Sequence, residues 1–96
     1  MVPKTTINVQ QALGLRIREL RAERGITQEE LAEHSGVFRT YMSRVEAGKA
    51  NPTLTMLHVF AQALGISIQE LLEWPKETEI PKVRSRDKLS RGRVTK

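Results

Sequence analysis

Two helix-length stretches, residues 28–35 and 38–47, are separated by nothing more than Gly36 and Val37. So short a connection forces two helices to cross steeply around one tight turn. Gly36 suits the turn, because glycine takes the left-handed backbone conformation at little cost. Ala32 is small enough for the crossing point, and Leu31, Val37, Met42 and Val45 supply a shared apolar core. The second helix is left with a polar face of Arg39, Thr40, Ser43 and Arg44. A helix presented in this way fits the major groove of DNA.

The flanking segments read as further helices. Asn8 with Gln11, Thr27 with Glu30 and Ser67 with Glu70 stand in capping-box register, each marking a helix start. Leu13, Ile17 and Leu20, widened by Ala12, give the first helix one apolar face. Gly25 ends that helix, and Gly14 lies in its middle, where only close packing would favour it. Thr53 caps a fourth helix whose stripe runs Leu54, Leu57, Ala61 and Leu64, with Phe60 flanking it and Gly65 as terminator. Ile68, Leu71 and Leu72 mark a short fifth helix toward Trp74, and Pro75 stops it. Met42, Met56 and Leu57 fall on apolar faces and are expected in the core. The pattern predicts an all-α chain: a compact five-helix bundle over residues 8–74, a flexible lead-in over 1–7 and a basic, flexible tail over 75–96.

Composition narrows the function. With 96 residues there is room for one small domain, and with no cysteine there are no disulfides, thiol catalysis or thiolate zinc sites. His34 and His58 lack metal-ligand spacing, so neither a metal nor any other cofactor is expected. No apolar run is long enough to span a bilayer and no secretion signal is evident, so a cytoplasmic protein without a membrane partner is expected. The net charge is +5, and its placement matters more than its size. Residues 1–74 carry eight Lys and Arg against eight Glu, whereas residues 75–96 carry eight against three acidic residues. The whole excess lies in the tail, which would add a salt-dependent, sequence-independent attraction to DNA or hold a protein partner.

From Leu15 to Leu72 the chain resembles the Cro/repressor-type, or Xre-like, helix-turn-helix family. The resemblance is carried by the run Leu20 to Ala32, by Gly36-Val37, by Ser43 to Gly48, by Asn51-Pro52-Thr53-Leu54 and by Ala61 to Ile66. It implies a lambda-repressor-like five-helix domain that binds operator DNA as a dimer. It also implies that Arg39, Thr40, Ser43 and Arg44 hold the base-reading positions, and that Gln28 contacts a phosphate. Arg21 and Glu46 match a structural ion pair between the first helix and the end of the third. The run Arg39 to Ser43 is similar to the controller proteins of restriction–modification systems. Phe38 departs from the family pattern, since members often carry a capping Ser or Thr there. That loss is expected to cost about 1 kcal/mol unless a backbone or DNA contact substitutes, and it can point an apolar ring toward sugars or a thymine methyl.

Each candidate has a plainer role beside its functional one. Arg39 and Arg44 can fork onto guanine, or stay solvated or on phosphates. Thr40 and Ser43 are short enough to approach base edges, yet hydroxyls discriminate poorly. Tyr41, Lys49 and Asn51, with Gln28, are expected on the DNA backbone; Tyr41 can equally pack on the second helix, and Lys49 be an ordinary surface lysine. Leu71, Leu72 and Trp74 either close the core or form a two-fold contact, and their crowding at one end of so small a domain favours the contact. The expected function is a homodimeric regulator on a pseudo-palindromic operator, with double-stranded DNA as its partner. The alternatives are a DNA-binding antitoxin with a protein partner on its tail, and a helical adaptor. An enzyme is disfavoured, because no nucleophile–base pair, metal cluster or phosphate-binding loop is legible.

Overall fold

The computed structural model describes residues 7–74, so the expected tail and all of the lead-in except Ile7 lie outside the described residues. Five α-helices follow in order: α1 (Val9–Arg24), α2 (Gln28–Ser35), α3 (Arg39–Glu46), α4 (Leu54–Leu64) and α5 (Ile68–Leu71). No strand occurs among the described residues.

Helix starts follow local chemistry. In α1 the Asn8 side chain accepts from the Gln11 amide at 2.8 Å while the Gln11 side chain accepts from the Asn8 amide at 3.0 Å. The same reciprocal box opens α2 through Thr27 and Glu30, and α5 through Ser67 and Glu70. Each box satisfies two donors that the start of a helix leaves bare. Thr53 caps α4 by accepting from the Met56 amide at 3.1 Å. Only α3 lacks a side-chain cap: its N-cap is Phe38, and the helix is one residue shorter at each end than the expected span of 38–47.

One apolar core joins all five helices. Ile17 of α1, Leu31 of α2, Met42 of α3, Phe60 of α4 and Leu71 of α5 are fully buried in it. Each such side chain contributes about 1.5–3 kcal/mol on leaving water. Helix α1 packs on α3 and α5, α2 packs on α3 and α4, and α4 packs on α5. Met56 and Leu57 are half-buried at the edge of this core.

Gly14 explains how α1 meets α3. A Cβ at that position would meet the carbonyl oxygen of Glu46 and lie 2.8 Å from that of Val45. Both are backbone atoms of α3, so the absent side chain is what lets the two helices approach. Helix propensity at the position is given up for contact.

Two expectations are corrected. Periodicity assigns Leu54 to the buried stripe of α4, yet it is 70% exposed, and Phe60, which periodicity sets beside the stripe, is its centre. Leu54 is the first residue of the helix, where a side chain tilts back toward the preceding turn and is left exposed. The sequence favours a two-fold contact for Leu71, yet it lies wholly inside the domain's own core. The α5 backbone is tied to α1 by Arg16, whose guanidinium donates to the Glu70 carbonyl at 2.8 and 3.2 Å, and this seats Leu71 inward.

Candidate nucleic-acid interface

The turn between α2 and α3 is closed by backbone hydrogen bonds. Gly36 has φ +71°, its amide donates to the Glu33 carbonyl at 3.1 Å, and the Val37 amide donates to the Ala32 carbonyl at 3.0 Å. This doubly bonded end fixes the direction in which α3 departs. Met42 and Val45 then anchor the inner side of α3, and Glu46 is buried with them. Arg39, Thr40, Ser43 and Arg44 are exposed and line one open surface groove.

The base of this face is held by charge. Arg21 of α1 donates from Nε to Glu46 Oε2 at 2.7 Å and from Nη2 to Oε1 at 2.9 Å, a two-pronged pair. Its third donor reaches the Ile26 carbonyl at 3.0 Å. Gln28 Nε2 completes the carboxylate's shell at 3.1 Å. The Glu46 hydrogen bond raises the Arg21 pKa above the ordinary arginine value, and partial burial works against that rise. The guanidinium therefore stays charged wherever the fold exists.

The structure brings some of the candidate residues together and separates others. Arg39 makes no hydrogen bond or ion pair with the described residues, which leaves its fork free. Arg44 is partly committed: Nη2 donates to the Lys49 carbonyl at 2.8 Å, across the end of α3. Tyr41 is half-buried and packs against the core. Gln28 is half-buried on Glu46, at the first residue of α2. Lys49 is exposed in the loop after α3. Asn51 borders a different surface, an apolar groove lined by Val9, Leu13, Leu57, Leu72 and Trp74. Leu72 and half-buried Trp74 thus lie at the groove, while Leu71 lies beneath it in the core.

Arg18 is a residue that sequence reasoning missed. It is exposed on α1 and shares a cleft with Gln28, Ser43 and Glu46, beside the polar face of α3. Nothing local marks it, since the α1–α3 crossing alone brings it there. Among the described residues no group of three or more His, Asp or Glu side chains is placed to hold a metal ion. None of their helices is long and apolar enough to cross a membrane.

Comparison with known proteins identifies the family of this fold. A family model described as Helix-turn-helix domain matches residues 12–74. The chain is similar to an uncharacterized HTH-type transcriptional regulator, y4dJ, of Sinorhizobium fredii, at 40% identity over 72 residues, covering 75% of this chain and 94% of the relative. Among solved structures it resembles the restriction-modification controller protein C.AhdI from Aeromonas hydrophila. That match has 42% identity and a TM-score of 0.63, covering 65% of this chain and 94% of the other. It also resembles the controller protein C.Esp1396I, solved as a tetramer in complex with its natural 35 base-pair operator. There the identity is 32% and the TM-score 0.59, over 68% of this chain and 96% of that one.

Proposed function

Because the chain belongs to the Xre-like helix-turn-helix domain family, we propose that it regulates transcription as a homodimer seated on a two-fold operator. The chain is a DNA-binding transcriptional regulator, as its similar proteins are, and the family points to regulation of genes and away from catalysis. The exposed row Arg39, Thr40, Ser43 and Arg44 supports the reading, because a rigid core turns it outward. Arg39 is the main base reader, since its guanidinium is uncommitted and it opens the helix that enters the groove. Thr40 and Ser43 follow the base edges, and Arg44 divides its donors between DNA and the Lys49 carbonyl. Gln28, Tyr41 and Lys49 serve the phosphate backbone, joined by Arg18, whereas Asn51 belongs to the apolar groove and not to this face. The likeness to C.AhdI and C.Esp1396I favours a controller-type regulator.

Replacing Arg39 with alanine tests the site. Loss of one forked contact to guanine is expected to weaken operator binding by about 10–100-fold. Affinity for random duplex should fall by less than about threefold, since phosphate contacts remain. Equal loss on both, measured by fluorescence anisotropy at fixed salt, would remove Arg39 from base reading.

The homodimer rests on the apolar groove. Leu72 and Val9 leave apolar surface exposed beside half-buried Trp74, at the end of the domain formed by α1 and α5. A homodimer reading successive major grooves needs its two α3 helices about 34–36 Å apart, and a second copy meeting this groove by two-fold symmetry is the arrangement proposed to set that spacing. Leu72→Glu is expected to leave folding intact and to weaken dimerisation at least about tenfold, because a charge would enter an apolar contact. Sedimentation equilibrium of the wild type and variant reads this directly; a wild type that stays monomeric at high concentration rules the interface out.

A further inference from the structure

The N-cap of α3 differs in kind from every other helix start in the domain. Asn8, Thr27, Thr53 and Ser67 all cap their helices with a side-chain oxygen, whereas Phe38 makes no capping hydrogen bond. Phe38 is 83% exposed, the most exposed large apolar residue among those described. It lies outside the core, and it immediately precedes Arg39 on the helix whose polar face is turned outward. The position thus gives up a cap on the one helix that reads DNA.

We propose that Phe38 reads a thymine, its ring packing on the C5-methyl group in the major groove beside the base pair contacted by Arg39. This rests on the DNA-reading role of α3 and names one base-specific contact within it. The chemistry leaves little choice of target. Base edges in the major groove are lined by hydrogen-bond donors and acceptors, and the thymine methyl is their apolar feature. An aromatic ring gains nothing from the polar groups and gains from the methyl through loss of water and dispersion. Consecutive Cα atoms stand about 3.8 Å apart and base pairs about 3.4 Å. Residues 38 and 39 are adjacent at the start of the helix, so the T·A pair is expected close to the G·C pair of Arg39 in each half-site, and position-by-position replacement locates it.

The test begins with an operator selected from random duplexes by the purified full-length chain. Each thymine is then replaced, one at a time, by deoxyuridine, which removes the methyl and keeps every hydrogen-bonding group. At one position per half-site the wild type is expected to bind about fivefold more weakly. Phe38→Ser should weaken binding to the thymine operator similarly and show no further loss on the deoxyuridine one. Phe38→Leu, still apolar, should retain part of the methyl sensitivity. The serine also restores a cap, so its melting temperature should rise while its affinity falls, which separates a reading role from a structural one. If no position is methyl-sensitive, or Phe38→Ser is as sensitive as wild type, the contact is overturned and the DNA-binding function stands. A Phe38-dependent loss that ignores the methyl also overturns it, and assigns the ring to sugar or to a base step. Failure to select any sequence overturns the operator reading itself.

Discussion

Gly14→Ala is expected to destabilise the domain by about 2 kcal/mol and lower its melting temperature by about 10 °C, although alanine is the better helix former. Two effects of opposite sign compete. Within an isolated helix the substitution gains up to about 1 kcal/mol by restricting the unfolded chain. In the folded domain the new methyl would be driven into the carbonyl groups of Val45 and Glu46. Those atoms belong to the last turn of α3 and cannot swing aside as a flexible side chain would, so overpacking wins. A second close approach stiffens the same junction, because a Cβ at Gly48 would lie 2.8 Å from Gln11 Cγ. The damage should therefore reach function: α3 shifts on α1, and operator affinity falls more than the melting temperature alone explains. Thermal unfolding by circular dichroism checks the sign. A variant as stable as wild type would mean that α1 and α3 do not meet at Gly14.

The Arg21–Glu46 pair carries the second large effect, and it is asymmetric. Glu46 is 5% exposed and depends on Arg21 and Gln28 for its hydrogen bonds. Arg21→Met leaves that carboxylate buried with Gln28 alone, an arrangement expected to cost about 3–5 kcal/mol. For a domain of this size that is most of the available stability. Glu46→Met should cost less, because the freed guanidinium sits nearer the surface and keeps the Ile26 carbonyl. The double variant is expected to be more stable than Arg21→Met, since no buried charge is left without a partner. Urea denaturation of all four proteins gives the coupling directly. Additive losses would show that the pair is only a surface contact. Arg21 itself brings no pH dependence below strongly alkaline conditions. Its folded-state pKa is raised, so its contribution is complete below the unfolded value and is lost only above it.

Between these two junctions lies the route from residues to a reading face. Helix α3 has only eight residues and no side-chain cap, so it would be marginal by itself. Gly14 lets α1 lie against its backbone, Arg21 grips its last residue, and Met42 and Val45 bury its inner side. The base-reading role proposed for Arg39 needs such a mount, because a forked contact to guanine tolerates little angular error. Two other α1 arginines do related work. Arg16 donates to the Glu70 carbonyl and Arg24 to the Leu64 carbonyl at 2.8 Å, satisfying oxygens near the ends of α5 and α4. In the sequence these residues read only as the polar side of an amphipathic helix.

Where helices begin and end was legible along the chain, because capping boxes and glycine turns act over three to five residues. Asn8, Thr27, Ser67 and Gly36 carry that information without help from the rest of the molecule. The apolar stripe of α1 and the outward row from Arg39 to Arg44 follow equally from helical period. Contacts between distant segments were not so encoded. That Phe60 and not Leu54 fills the centre, that Leu71 turns inward, that Arg18 comes beside Ser43, and that Gly14 touches α3 all depend on how helices cross. Periodicity assigns a residue to a face, but the depth of its burial is set by the neighbour laid against it, and that neighbour lies dozens of residues away.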